Sequence, residues 1–189
     1  MRIWYIFYCL LFCSVLTTHA QTFAIKNNLL STADAALNIG AEYAIGLKKT
    51  IGFSASVRPW KRTETYVNKY WFVEPEFRYW MCQKFNGSFW GAYLNGAQFN
   101  VGGKTLPFGF FPSLKRHRYA GWLTGGGISY GYSVMLNRNW NVEASVGVGY
   151  EYIKYTKYKC PAVCADILEK YHYHYFGLTK ASLSVVYIF

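Results

Sequence analysis

Five glutamates, Glu42, Glu74, Glu76, Glu143 and Glu151, lie in stretches where every second residue is apolar, and each falls on the other side of its stretch with Lys26, Arg58, Arg78 and Lys180. Nine charges on one kind of face offer two kinds of chemistry. Carboxylates close to one another do acid–base work or raise one another's pKa. Carboxylates mixed with Lys and Arg in a narrow enclosed space pair up and plug it, because a buried charge must be paired. The expectation is a structural ion-pair network, the alternatives being a proton or ion path and catalysis.

The elements that must hold these residues read as strands. The closing stretch, His174 to Phe189, sets Thr179, Ala181, Leu183, Val185, Tyr187 and Phe189 against Lys180, Ser182 and Ser184, a period of two. Seven further stretches alternate in the same way: Phe23–Ser31, Leu37–Ile45, 51–58, 71–81, Ser88–Asn100, Tyr119–Leu136 and 142–152. Pro75 predicts a bulge or local irregularity, since proline cannot donate to a ladder. Connections alternate in length: short at 46–50, 83–87 and 137–140, long and basic at 60–68, 101–118 and 155–173, with only the first breaking the rule by being short.

Composition narrows the environment. Aromatic residues make up 21 % of the 189 residues and charged residues only 15 %, where a soluble domain carries about a quarter charged residues. Arg2, the apolar run Ile3 to Leu16 and the polar Thr17 to Ala20 read as a signal peptide over residues 1–20, leaving 21–189 as one domain. Cys9 and Cys13 lack the small preceding residues of a lipid-anchor signal. The net charge of +11 invites a nucleic-acid reading, which an exported chain makes unattractive.

An even set of antiparallel strands with short turns at one end and long loops at the other is the plan of an outer-membrane barrel. Alternation alone does not separate it from a lipocalin or sandwich. Size does: eight strands enclose room only for side chains, and Trp71, Phe77, Tyr79, Trp90, Trp122, Tyr130, Tyr132 and Tyr150 would overfill it. The expected fold is therefore an all-β, eight-stranded antiparallel up-and-down transmembrane barrel, aromatics outward. Gly125, Gly127, Gly131, Gly147 and Gly149 then make room within.

The remaining candidates lie near the long loops. Cys160 and Cys164, in an oxidising compartment, are expected to form a disulfide whose small ring contributes roughly 2 kcal/mol. The competing use is a metal site with His172 and His174; Cys82 is left as a free thiol near a short turn. Lys61, Arg62, Lys104, Lys115, Arg116, Arg118, Lys157 and Lys159 would sit beside lipopolysaccharide phosphates, or form a solvated basic surface. Enzymes that modify lipid A use a Ser and a His near the extracellular rim, but no Ser lies two residues from His117, His172 or His174 on one strand face. Gly103-Lys104-Thr105 resembles the end of a phosphate-binding loop, yet Gln98 replaces its first glycine and Leu-Pro-Phe follows rather than a helix.

Val73-Glu-Pro-Glu-Phe-Arg-Tyr-Trp80, Tyr93 to Gly103, Leu106-Pro-Phe-Gly109 and Gly125-Gly-Gly-Ile-Ser-Tyr-Gly-Tyr132 resemble a family of small outer-membrane barrels of Bacteroides-type Gram-negative bacteria, classed as a domain of unknown function. The resemblance spans nearly the whole mature chain. It implies an architecture similar to the barrel of outer membrane protein A and carries over no catalytic residue. It also implies a role near fimbrial or other surface-assembly systems. Larger relatives carry a peptidoglycan-binding domain; here a barrel alone is expected. The expected protein is thus a non-enzymatic outer-membrane barrel with a packed lumen and no cofactor. Its expected partners are membrane lipid, lipopolysaccharide, a surface or fimbrial protein, and the assembly machinery that reads the strand ending at Phe189; the alternatives are a lipid A enzyme and a periplasmic binding barrel.

Overall fold

The computed structural model describes residues 21–59, 67–102, 117–158 and 167–189. The expected signal peptide lies outside them, as do Lys61, Arg62, Lys104, Lys115, Arg116, Lys159, Cys160 and Cys164. Eight strands follow one another around a ring: β1 (Phe23–Asn28), β2 (Leu37–Ala44), β3 (Lys49–Arg58), β4 (Val67–Trp80), β5 (Gly87–Gly102), β6 (Arg118–Met135), β7 (Trp140–Tyr158) and β8 (Ile167–Ile188). Each pairs antiparallel with its neighbour, and β8 returns to β1 to close the barrel. The fold is all-β, up-and-down and eight-stranded, as the alternation predicts.

Three turns, at 45–48, 81–86 and 136–139, define one end of the barrel, here the turn end. Local chemistry makes them tight. Asn137 Oδ1 accepts from the backbone N–H groups of Asn139 and Trp140 at 3.0 and 2.9 Å, an Asx arrangement that mimics a backbone turn. Phe85 and Gly87 carry the left-handed conformations, φ 64° and 79°, that reverse the chain before β5.

The opposite, loop end differs from expectation in three ways. β1 stops at Asn28, not Ser31: Asn28 Oδ1 accepts from Leu30 N–H at 3.0 Å, capping one helical turn, α1 (Leu29–Ala33). β7 and β8 run on to Tyr158 and back from Ile167, through residues expected to be loop. Their upper halves carry Tyr and Lys on both faces, so the apolar–polar contrast that marks a strand fades there. The walls are consequently unequal, from 6 residues in β1 and 8 in β2 to 22 in β8.

The third difference is a bulge. Gly147 pairs with Lys180 but Val148 with Leu178, so Thr179 is an extra residue in β8. Below it Ala181, Leu183, Val185 and Tyr187 share the outward parity; above it the parity switches and Phe176 and Leu178 face out. Thr179, expected among the outward residues, instead bonds the hydroxyl of the buried Tyr93 within the barrel. Pro75 gives the milder irregularity: it pairs with Phe53 on β3, while the rungs between Val73–Gly96 and Glu76–Tyr93 are missing on the β5 side and the register is unchanged.

All eight bulky aromatics expected outside, from Trp71 to Tyr150, are exposed. The interior does not consist of small and charged residues alone. Trp80 and Phe89 are completely buried, and with Phe85, Ala24, Ala44, Val186 and Ile188 they pack the turn end. Trp80 shares the even-numbered inward parity of Glu74, Glu76 and Arg78, so β4 signals its position.

Candidate functional site

The inward face of β4 supplies the centre of the lumen, because Glu74, Glu76, Arg78 and Trp80 succeed one another at period two. Arg78 is the hub. Its Nε donates to Glu76 Oε2 at 2.6 Å, and its Nη1 donates to Glu42 Oε2 at 3.1 Å and to Glu143 Oε1 at 2.8 Å. One guanidinium thus joins carboxylates from β2, β4 and β7, which its planar fork of five donors permits. It also lies over the Phe89 ring, 4.4 Å from the centroid.

Two lysines complete the set. Lys26 of β1 pairs with Glu42 and, at 3.1 Å, with Glu143. Lys180 of β8 pairs with Glu74 at 2.6 Å and Glu76 at 2.8 Å, with its ammonium 4.9 Å from the Tyr93 ring. Neutral donors take up further lone pairs: Ser129 Oγ donates to Glu76 at 2.7 Å, and Thr50 donates to Glu42 while accepting from Trp80 Nε1 at 2.9 Å. Every carboxylate in the cluster meets at least one cation, the condition under which buried charge is tolerated.

Glycine gives this cluster its space. A Cβ on Gly91 would collide with the Glu76 carboxylate and Ser129 Oγ, and one on Gly131 would enter the Phe89 ring. Sequence reasoning assigns that role to Gly125, Gly127, Gly131, Gly147 and Gly149, and misses Gly91, Thr50, Ser129 and Tyr93. Thr50, Ser129 and Tyr93 carry the inward parity of their strands, which is the signal that could have found them.

Seven of the nine expected network residues come together: Lys26, Glu42, Glu74, Glu76, Arg78, Glu143 and Lys180. Arg58 does not join them. It lies nearer the loop end, where Nη1 pairs with Asp34 Oδ2 at 2.8 Å, just after α1. Glu151 is also separate and accepts from Asn95 Nδ2 at 3.0 Å. The reason is length: both strands continue well past the level of the cluster, so equal parity does not mean equal height.

The cluster borders a cavity of about 190 Å³ in the lumen, lined by Lys26, Glu42, Glu76, Arg78, Glu143 and the Glu74–Lys180 pair and by Ser54, Ser56, Ser182, Ser184 and Asn38. On the turn side the apolar plug closes the lumen, with Trp80 and Phe89 centroids 4.7 Å apart. A cavity of this size holds a few waters or one small polar molecule. Of the expected loop contacts, Arg118 donates to Asn100 Oδ1 at 2.6 Å and lies over Tyr158, while Lys157 pairs in register with Tyr119. His172 and His174 each bond a tyrosine hydroxyl, Tyr152 at 2.6 Å and Tyr150 respectively. Cys82 is an exposed free thiol at the turn end. Among the described residues no group of three or more His, Cys, Asp or Glu side chains is placed to hold a metal ion.

None of the curated proteins matches this chain. A family profile does, over residues 5–189, which covers all eight strands. The chain therefore belongs to the family described as protein of unknown function DUF3575.

Proposed function

We propose that this protein is an integral outer-membrane β-barrel of a Gram-negative bacterium, exported by a signal peptide over residues 1–20, with a structural or surface-interaction role. In this reading it is neither a wide pore nor an enzyme. The observation that carries it is the direction of polarity across the wall. Trp71, Phe77, Trp90, Ile128, Val146 and Leu178 are exposed on the outside, while Glu42, Glu76, Arg78, Glu143 and Lys180 are buried inside. In water that arrangement is inverted; in lipid it is the stable one.

The aromatic rings support the same reading. At the turn end Phe23, Phe189, Tyr187 and Trp140 are linked ring to ring, with centroids 5.9, 4.8 and 4.9 Å apart. Toward the loop end Trp122, Tyr152 and His174 form a second group. Trp140 and Tyr150 are ten residues apart on β7, about 25 Å along the axis of a barrel tilted by about 40°. That is the height of a barrel's apolar band, flanked by girdles at both interfaces.

A plugged lumen suits a role carried by the outer surface and the loops. The basic loop residues Lys61, Arg62, Lys104, Lys115, Arg116, Arg118, Lys157 and Lys159 would meet lipopolysaccharide or a fimbrial or other surface partner in this reading. The test is heat-modifiability. The purified protein in detergent should run differently on a gel with and without boiling, and should remain in the membrane fraction after alkaline extraction. Solubility without detergent would overturn the proposal. An altered lipid A mass on deleting the gene, lost again when His117, His172 and His174 are replaced, would favour a lipid A enzyme instead.

A further inference from the structure

Along the outer face of β7 and β8 the side chains change character toward the loop end. Val148 pairs with Leu178, an apolar rung; Tyr152 with His174, an aromatic one; Lys154 with His172, a basic one. Lys170, one rung further and opposite Thr156, extends the basic zone, and Trp122 of β6 flanks Lys154. Lys154, Lys170 and His172 are all exposed. Neither lysine takes part in an ion pair among the described residues, and Glu143 and Glu151, the acidic residues lower on β7, are turned toward the lumen.

The histidine is held in a definite way. The Tyr152 hydroxyl lies 2.6 Å from His172 Nδ1. When that hydroxyl donates, the imidazole carries its proton on Nε2, and the Nε2–H is directed away from the tyrosine as a second donor. Two ammonium groups and one oriented N–H therefore stand side by side directly above an aromatic girdle. This is a donor set for a phosphate group, which offers several acceptor oxygens and negative charge. Arg118 is already engaged with Asn100 and Tyr158.

We infer that Lys154, Lys170 and His172 form a binding site on the outside of the barrel wall for the phosphate of a membrane-lipid headgroup, with Trp122 and Tyr152 seated against the top of its acyl chains. Complementary charge selects the occupant, and the apolar rung at Val148–Leu178 selects a lipid over a soluble phosphate. The inference rests on the membrane reading, since only a surrounding bilayer would bring a headgroup to this height.

The test uses the full barrel reconstituted in phosphatidylcholine vesicles doped with dibrominated lipid. Quenching assigned to Trp122, by difference from Trp122→Phe, should report association with dibrominated phosphatidic acid about tenfold above dibrominated phosphatidylcholine, the order expected of lysines facing an anionic headgroup. The preference should vanish in the Lys154→Gln/Lys170→Gln/His172→Gln variant and survive in Lys154→Arg/Lys170→Arg. Because all three side chains are exposed, heat-modifiability of the variant should be unchanged. In the native chain the preference should also weaken as salt rises. Equal quenching by the two lipids would overturn the site and leave the membrane reading standing. Quenching by neither would overturn both. A preference abolished by inorganic phosphate would overturn the lipid as occupant.

Discussion

Two sets of inward side chains around one cavity solve the same problem in opposite ways. Arg78, Lys26 and Lys180 are cross-linked to four glutamates above a floor of Trp80, Phe85 and Phe89. Serines and Asn38 line the rest of the cavity, and Ser145 and Ser182 simply share a hydroxyl contact at 2.7 Å. The charged set is buried and depends on geometry, since each ion must find its partners among fixed side chains. The neutral set faces room for water, which replaces lost partners at little cost. Stability should therefore be concentrated in the charged set, and tolerance of substitution in the neutral one.

The largest break in that contrast is Arg78→Leu, which strands Glu42, Glu76 and Glu143 around an apolar side chain. The expected loss is at the upper end of about 3–5 kcal/mol, measured by urea unfolding in detergent, and a loss below about 1 kcal/mol would show that the lumen is wet there. Trp80→Ala should follow at about 3–4 kcal/mol through the cavity it leaves. The same variant should give larger currents than the native barrel in planar bilayers, and unchanged currents would mean that the plug is not the barrier. On the outer wall Val146→Arg should cost about 2–4 kcal/mol, whereas in a soluble barrel this exposed position would tolerate it. Smallest of all, Ser54→Ala on the cavity wall should change the unfolding free energy by less than about 0.5 kcal/mol. A larger effect would show that the neutral set is held as tightly as the charged one.

The division also decides what a sequence can disclose. Parity along each strand is written in the residue types, so the inward placement of Glu42, Glu74, Glu76, Arg78, Glu143 and Lys180 follows from alternation. Height along the axis is not written there, because it depends on shear and on where each strand starts. Arg58 and Glu151 show this: they have the right face but the wrong level, and they bond Asp34 and Asn95 instead. The bulge at Thr179 leaves no mark in the sequence either, since a threonine suits both faces. Upper β7 and β8 escape detection for a different reason. When both sides of a sheet carry Tyr and Lys there is no contrast for periodicity to find, although the ladder between Tyr152–His174 and Lys157–Glu169 is regular.

The unequal wall heights have a consequence for how the ring is fastened. β1 meets β8 over only five residue pairs, Ala24 to Asn28, whereas β6 and β7 are matched from Arg118 to Met135. A hoop gives first at its clasp, and the β1–β8 clasp is short in backbone bonds. Lys26, midway along it, reaches past β8 to Glu143 on β7 and past the other flank to Glu42 on β2. It acts as a rivet driven across the join, so that unbuckling the hoop also requires pulling an ammonium group away from two carboxylates.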